Sequence, residues 1–262
     1  MSMTQSRASA EWVGFKTIII REFSRIVRIW GQTIVPPAVT ATLYFIIFGS
    51  LIGRRVGQIG GYDYMQFIAP GLIMMTVITN SYGNVVSSFF GAKFGKHLEE
   101  MLVSPLPNWL IVSGYVGGGI LRGVLVGSVV TLVSLFFTRL ALTHLLAVIS
   151  AVLLTSMVFA LGGLINALFA KNFDQISWFP TFVLQPLTYL GGVFYSTTML
   201  PGWARIISHA NPILYMVSAF RYGFLGTSDV DLRLAYAIMV GAAGGMFALA
   251  VTLLNRGTGI RD

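Results

Sequence analysis

Cysteine is absent from this chain of 262 residues. That excludes a disulfide framework and any thiolate metal site. Charge is also scarce: Asp, Glu, Lys and Arg make up 10% of residues, where a soluble domain carries roughly 25%. Acids are scarcest, with nine Asp and Glu in all. His97, His144 and His209 stand apart in sequence, so no pair has the spacing of metal ligands. No catalytic triad, no paired carboxylates and no long internal repeat are visible. A glycine-rich stretch begins at Gly114, but no Gly-Lys-Ser/Thr follows it, so the nucleotide-binding loop is missing. These absences argue against an enzyme and against a cofactor bound by the chain itself.

Apolar side chains are abundant. Hydrophobic residues reach 55% and mean hydropathy is +0.79. Water would leave much of that surface exposed in large patches, and lipid is the solvent that suits it. Six segments hold the roughly 20 apolar residues needed to cross a bilayer: 32–53, 66–91, 109–137, 145–169, 176–195 and 234–254. None contains Asp or Glu, and Arg122 is the one basic residue inside them. Unpaired backbone groups are not tolerated in lipid, and the alternation of a membrane barrel is missing, so an all-α polytopic fold is predicted. The first long apolar run begins near Ile34 and is interrupted by Pro36-Pro37, unlike a cleavable signal.

An even number of crossings places both termini on one side. Residues 1–31, 92–108, 170–175 and 255–262 carry ten Lys and Arg, and the opposite segments carry six. The bias predicts a 1–31 tail and a 255–262 tail in the cytoplasm. The net charge of +8 is scattered, which suits topology and membrane-surface contacts rather than nucleic acid.

Residues 11–30 form an amphipathic pattern. Trp12, Phe15, Ile19, Phe23, Ile26 and Trp30 recur at helical steps, with Arg21, Arg25 and Arg28 opposite. Such a helix is expected in the membrane interface with its arginines among anionic head groups, as an anchor or as a docking face for a cytoplasmic partner. The loop 92–108 carries Lys93, Lys96, Glu99 and Glu100 at helical spacing, then Met101, Leu102 and Val103, then Pro105 and Pro107. It reads as a short charged helix with an apolar tip, either inserted in a partner's cleft or a plain connector.

In the third segment Gly119, Gly123 and Gly127 lie on one face, where small residues let helices approach closely. Arg122 has two readings, a substrate or gating residue and a snorkelling one. The segment has 29 residues, or about 43 Å as a helix, and its end can project from the bilayer. Pro180 and Pro186 bend the fifth segment. Residues 196–233 hold two apolar stretches, 203–208 and 213–224, parted by Asn211-Pro212. Both are too short to span, which predicts a re-entrant or surface hairpin before the last crossing. Acids inside the spans, which ion-coupled transporters commonly use, are missing. An ion-coupled carrier and a non-transporting scaffold or sensor are the rival readings.

Leu184, Leu187, Leu190, Gly191, Val193, Leu200, Pro201, Pro212, Ile213, Tyr215 and Arg221 fall in a fixed order over nearly forty residues. With QTIVPPAVTATLYFIIFG (32–49), YMQFIAPGLIMM (64–75) and TYLGGVFYS (188–196), they make the chain resemble the type-2 permease family of ATP-binding-cassette (ABC) exporters, in a bacterial branch. The resemblance covers nearly the whole chain. It implies a half-transporter in the bacterial inner membrane: two permease copies with two separate ABC ATPase subunits, which bind the ATP and Mg²⁺. The implied cargo is a glycolipid, a polysaccharide-linked lipid or a hydrophobic drug. It also implies ATPase coupling through Glu99, Glu100, Leu102 and Pro105, with Phe173 and Asp174 in the second cytoplasmic loop. For the substrate path the candidates are Tyr44, Asn80, Tyr82, Asn84, Arg122 and Tyr189.

Overall fold

A chain this apolar must satisfy its backbone within each segment. In the computed structural model it does so as helix nearly throughout. The structure describes residues 3–104 and 106–259, with backbone alone for residues 3–8, 50, 51 and 54. Helix α1 (Met3–Arg28) is followed by α2 (Trp30–Tyr44), a π-helical stretch Phe45–Ile52 and the short α3 (Gly53–Val56). A small antiparallel hairpin, β1 (Gln58–Ile59) with β2 (Tyr62–Asp63), then leads into α4 (Tyr64–Phe94). After it come α5 (His97–Val103), α6 (Asn108–Leu135) and α7 (Leu145–Phe169). Helix α8 (Phe173–Phe179) passes through a π-helical stretch Pro180–Leu184 into α9 (Gln185–Tyr189). A 3₁₀ turn at Thr197–Met199, then α10 (Gly202–Ala210), α11 (Pro212–Leu225) and α12 (Leu232–Arg256) complete the described chain.

Among the described residues four helical stretches are long and apolar enough to cross a membrane: Trp30–Gly49, Asn108–Leu135, Leu145–Phe169 and Leu232–Arg256. Helix α4 has the length, 31 residues, but is less apolar. Its position explains why: most of its side chains are buried against α6, α7 and α11. Protein shields them from lipid, so Ser81, Asn84 and Ser88 are accommodated. The fifth segment, expected over 176–195, differs. Its helix stops at Tyr189, and the chain reverses at Gly192, whose φ of +72° suits glycine. The hairpin was also not foreseen in an all-α fold. Gly60 and Gly61, with φ of +58° and +84°, supply the turn that joins its strands.

Glycine sets the spacing of the core. A Cβ on Gly119 would lie 2.6 Å from Val85 Cγ2, and one on Gly123 would lie 2.6 Å from Ser156 Oγ. The expected close-packing face is therefore where α6 meets α4 and α7. A second glycine face of α6 receives α1: a Cβ on Gly114 would lie 2.6 Å from Ile18, and one on Gly118 2.7 Å from Glu22.

The apolar stripe expected in the interface stays largely free of the bundle. Ile18, Glu22 and Ile26 are buried, whereas Trp12, Phe23 and Trp30 are more than half exposed. Arg21 and Arg25, expected among head groups, turn toward the bundle. Arg21 Nη2 donates to Tyr115 Oη at 2.6 Å, and Arg25 Nη2 donates to Asn84 Oδ1 at 2.7 Å. These contacts follow from the solvent. Against lipid, an apolar face costs nothing to expose, and polar groups gain most by finding protein partners.

Candidate functional site

Tyr44 on α2 and Tyr189 at the end of α9 meet with their hydroxyls 3.3 Å apart. Below them α2, α4 and α9 enclose a cavity of about 330 Å³. Its walls are mixed. Pro36, Pro37, Leu72 and Met75 are apolar, and Gln32, Thr76, Thr79, Asn80 and Gln185 are polar. Asn80 Nδ2 donates to Thr76 O at 3.0 Å, which fixes the amide on the groove side of α4. Aromatic rings gather around the tyrosine pair: Phe194 lies 4.7 Å from Phe48 and 6.0 Å from both Tyr44 and Tyr189, centroid to centroid.

The groove continues on the other side of Thr79. There a cavity of about 370 Å³ is lined by Tyr82, Gly83, Ser87, Ser177, Pro180 and Thr181. Tyr82 is buried, its ring stacks on Phe179 at 5.7 Å, and its hydroxyl accepts from Asn166 Nδ2 at 2.7 Å. Pro180 and Pro186 explain why α8 and α9 leave such space. Each lacks an N–H, and the helix passes through a wider π-helical stretch that starts at Pro180. The fold thus brings Tyr44, Asn80, Tyr82 and Tyr189 along one groove.

Asn84 and Arg122 lie elsewhere. Asn84 is fully buried, accepts from Arg25 and donates to Glu22 Oε2 at 3.2 Å. Ser88 donates to the other carboxylate oxygen of Glu22. Arg122 is half-buried on α6 within electrostatic reach of Arg25, and its Nε has no hydrogen-bond partner among the described residues. A larger cavity of about 550 Å³ between α6, α7 and α11 is almost wholly apolar, with Leu132, Leu145 and Phe224 among its walls. It offers little that would orient a polar cargo group.

The charged loop is helical where expected, as α5. Glu99 and Glu100 are exposed, and of the apolar run that follows only Val103 projects, 88% exposed. Met101 and Leu102 turn inward onto the core. The apolar tip is therefore a single side chain. Pro105 lies outside the described residues. Phe173 and Asp174, at the start of α8, are exposed on the neighbouring loop. Phe173 stacks edge-on with Phe94 at 5.2 Å, at the end of α4 just before α5. The two loops thus share one surface of exposed acids and aromatics.

Two polar residues were missed as contributors. Glu22 lies four residues from both Ile18 and Ile26, which would have marked it as part of a docked stripe. Arg221 is 1% exposed. It donates to Gly192 O at 2.6 Å and Phe67 O at 3.3 Å, pairs with Asp229 at 3.3 Å and covers the Phe67 ring at 3.9 Å. It ties α11 to α4 and to the turn that ends the fifth segment.

Residues 13–225 match the family model described as ABC-2 type transporter. The chain is 54% identical over 251 residues to the inner membrane transport permease YadH of Escherichia coli (strain K12), covering 96% of this chain and 98% of that protein. It is 25% identical over 218 residues to nodulation protein J of Rhizobium leguminosarum bv. viciae, covering 82% and 83% of the two chains. With the Rhizobium meliloti (strain 1021) nodulation protein J the identity is 22% over 215 residues, covering 82% of each.

Proposed function

The chain belongs to the ABC-2 type transporter family and is a membrane transport permease; from that premise we propose that it is the membrane subunit of an ATP-driven exporter in the bacterial cytoplasmic membrane. In this reading it crosses the bilayer six times, through α2, α4, α6, α7, the α8–α9 unit and α12, with both termini inside. Helices α10 and α11 form the re-entrant pair before the last crossing. Two copies of the chain assemble with two ABC ATPase subunits, which bind ATP and Mg²⁺ and do the hydrolysis. The permease itself performs no chemistry.

The observation that carries this reading is the groove of α2, α4 and α9. A cavity with apolar walls and a few fixed polar groups suits an amphipathic cargo. Glycolipids, polysaccharide-linked lipids and hydrophobic drugs all fit that description. Tyr44, Asn80 and Tyr189 supply hydroxyls and an amide at the depth of the spans, and the broken α8–α9 unit forms the wall that moves. ATP closes the ATPase pair, the force enters through α5 and the Phe173 loop, and the groove changes its access.

The test is co-purification with an ABC ATPase and stimulation of its turnover in lipid. A permease that transports with no ATPase present would refute the proposal. Reversing Glu99 and Glu100 to Lys should weaken ATPase co-purification at least tenfold. Both side chains are exposed, so stability should stay within about 0.5 kcal/mol. Undiminished co-purification would remove α5 from the contact.

A further inference from the structure

A cavity of about 370 Å³ lies where α1 crosses the end of α4, beside the start of α5. Arg21, Arg25 and Arg28 line it, with Ser24, Ser87 and Ser88, and Glu22 is the one acid in its wall. Three guanidinium groups therefore face one carboxylate. That carboxylate is already engaged by Asn84, Ser88 and Arg25. The Arg28 side chain makes no hydrogen bond among the described residues, and the buried Nε of Arg25 has no partner among them. The pocket is left with unspent positive charge and free donors.

The geometry of α1 bears on which anion fits. At 100° per residue its surface divides into three stripes. Ile18, Glu22 and Ile26 are docked on the bundle. Arg21, Ser24, Arg25 and Arg28 edge the pocket. Ile20, Phe23 and Val27 form the third stripe, and all are at least half exposed. The basic stripe and the exposed apolar stripe adjoin along the helix. An anion carrying apolar chains engages both, and a free ion engages only one.

We propose that this pocket binds the phosphate head group of an anionic phospholipid of the cytoplasmic leaflet, with the acyl chains lying along Ile20 and Val27. The arginine fork is suited to phosphate oxygens. The site sits against both α4 and α5, so the lipid bridges the interface helix to the loop at α5. The inference stands apart from the identity of the cargo and rests on the proposed placement of α1 at the cytoplasmic surface of the membrane.

The test is native mass spectrometry of the whole permease, purified with an equimolar mixture of phosphatidylglycerol and phosphatidylcholine. The wild type should retain phosphatidylglycerol at least fivefold over phosphatidylcholine. Arg28→Gln and Ser24→Glu should each cut that preference at least threefold, Arg28→Lys should keep most of it, and Arg233→Gln, on α12, should leave it unchanged. Neither the Arg28 nor the Ser24 side chain makes a hydrogen bond within the described fold, so loss of folding does not confuse the result, and a melting curve checks it. Equal retention of the two lipids, or retention indifferent to both pocket variants, would overturn the proposal. Displacement of the lipid by millimolar inorganic phosphate would assign the pocket to a free anion instead. Loss of ATPase co-purification in Arg28→Gln with unchanged lipid retention would assign it to the partner protein.

Discussion

The two sides of α4 are built on opposite principles. On one side α6 and α7 press against it at glycines, so closely that a Cβ on Gly163 would lie 2.5 Å from the Tyr82 carbonyl oxygen. On the other side α2, α8 and α9 stand off, with cavities of about 330 and 370 Å³ between them and α4. That flank is broken by Pro36, Pro37, Pro180 and Pro186 and contains two π-helical stretches. It also leaves Val39, Leu43, Trp178 and Phe182 exposed. Packed interiors move as blocks, whereas proline-interrupted helices with space beside them can change angle at modest cost. The contrast separates a tightly packed wall from a loosely packed one, and the groove lies between the two.

The most severe way to break the comparison is to enlarge a glycine on the tight side. Gly163→Leu must displace backbone at Tyr82 and Val86, and overpacking of this kind costs about 1–3 kcal/mol or more. The variant should lose monodispersity in detergent and melt well below the wild type. Gly31→Leu, on α2, meets nothing within 4 Å, and its melting temperature should hold or rise. Equal damage from the two would erase the distinction between the sides.

Arg221 tests what joins them. The turn at Gly192 ends the loosely packed α8–α9 unit, and Arg221 fastens it to α11 and α4. Arg221→Met keeps the bulk but strands Asp229 and the Gly192 carbonyl in a buried setting. Breaking a buried pair on one side costs about 3–5 kcal/mol, less whatever Ser196 and water restore to Asp229, so the loss should fall at or below the lower end of that range. Chemical denaturation in mild detergent measures it. A change below about 1 kcal/mol would mean the turn is held by packing alone.

The tightly packed wall was the more legible part in sequence. The run 145–169 is bounded as read, and the glycine face at 119, 123 and 127 meets α4 and α7 as expected. Among the described residues four apolar helices announce themselves by length and hydropathy. The flank was harder because hydropathy does not report where a helix stops. Residues 190–195 are apolar enough to continue a span, yet the Gly191-Gly192 pair turns the chain back. The basic face of α1 was only partly legible, for another reason. Periodicity locates a basic stripe without saying whether it meets head groups or protein, and the partners of Arg21 and Arg25, namely Tyr115, Glu22 and Asn84, come together only in the folded bundle. The site residues divide the same way. Tyr44, Asn80, Tyr82 and Tyr189 converge because three helices do. Asn84, four residues beyond Asn80, belongs to the α1 contact instead, since the two amides face different neighbours.

The gentlest test fills the groove without touching the wall. Gly83 lies on the open side of α4, lines the cavity beside Pro180 and Thr181, and has no atom within 4 Å of where a Cβ would stand. Gly83→Leu replaces a residue poorly suited to a helix interior with one of the best, a gain of about 1 kcal/mol before any clash. Stability should therefore hold or rise slightly, and ATPase co-purification should be unchanged, since α5 and the Phe173 loop are untouched. Transport should nevertheless fall, because the new side chain occupies space that the α8–α9 unit needs for movement or the cargo needs for passage. Reconstituted vesicles with the ATPase present distinguish the two. If the side chain blocks cargo alone, ATP turnover continues while export drops several-fold. If it jams the moving wall, both fall together. Export that proceeds at the wild-type rate in a stable Gly83→Leu protein would remove this half of the groove from the path and leave only the part below Tyr44 and Tyr189.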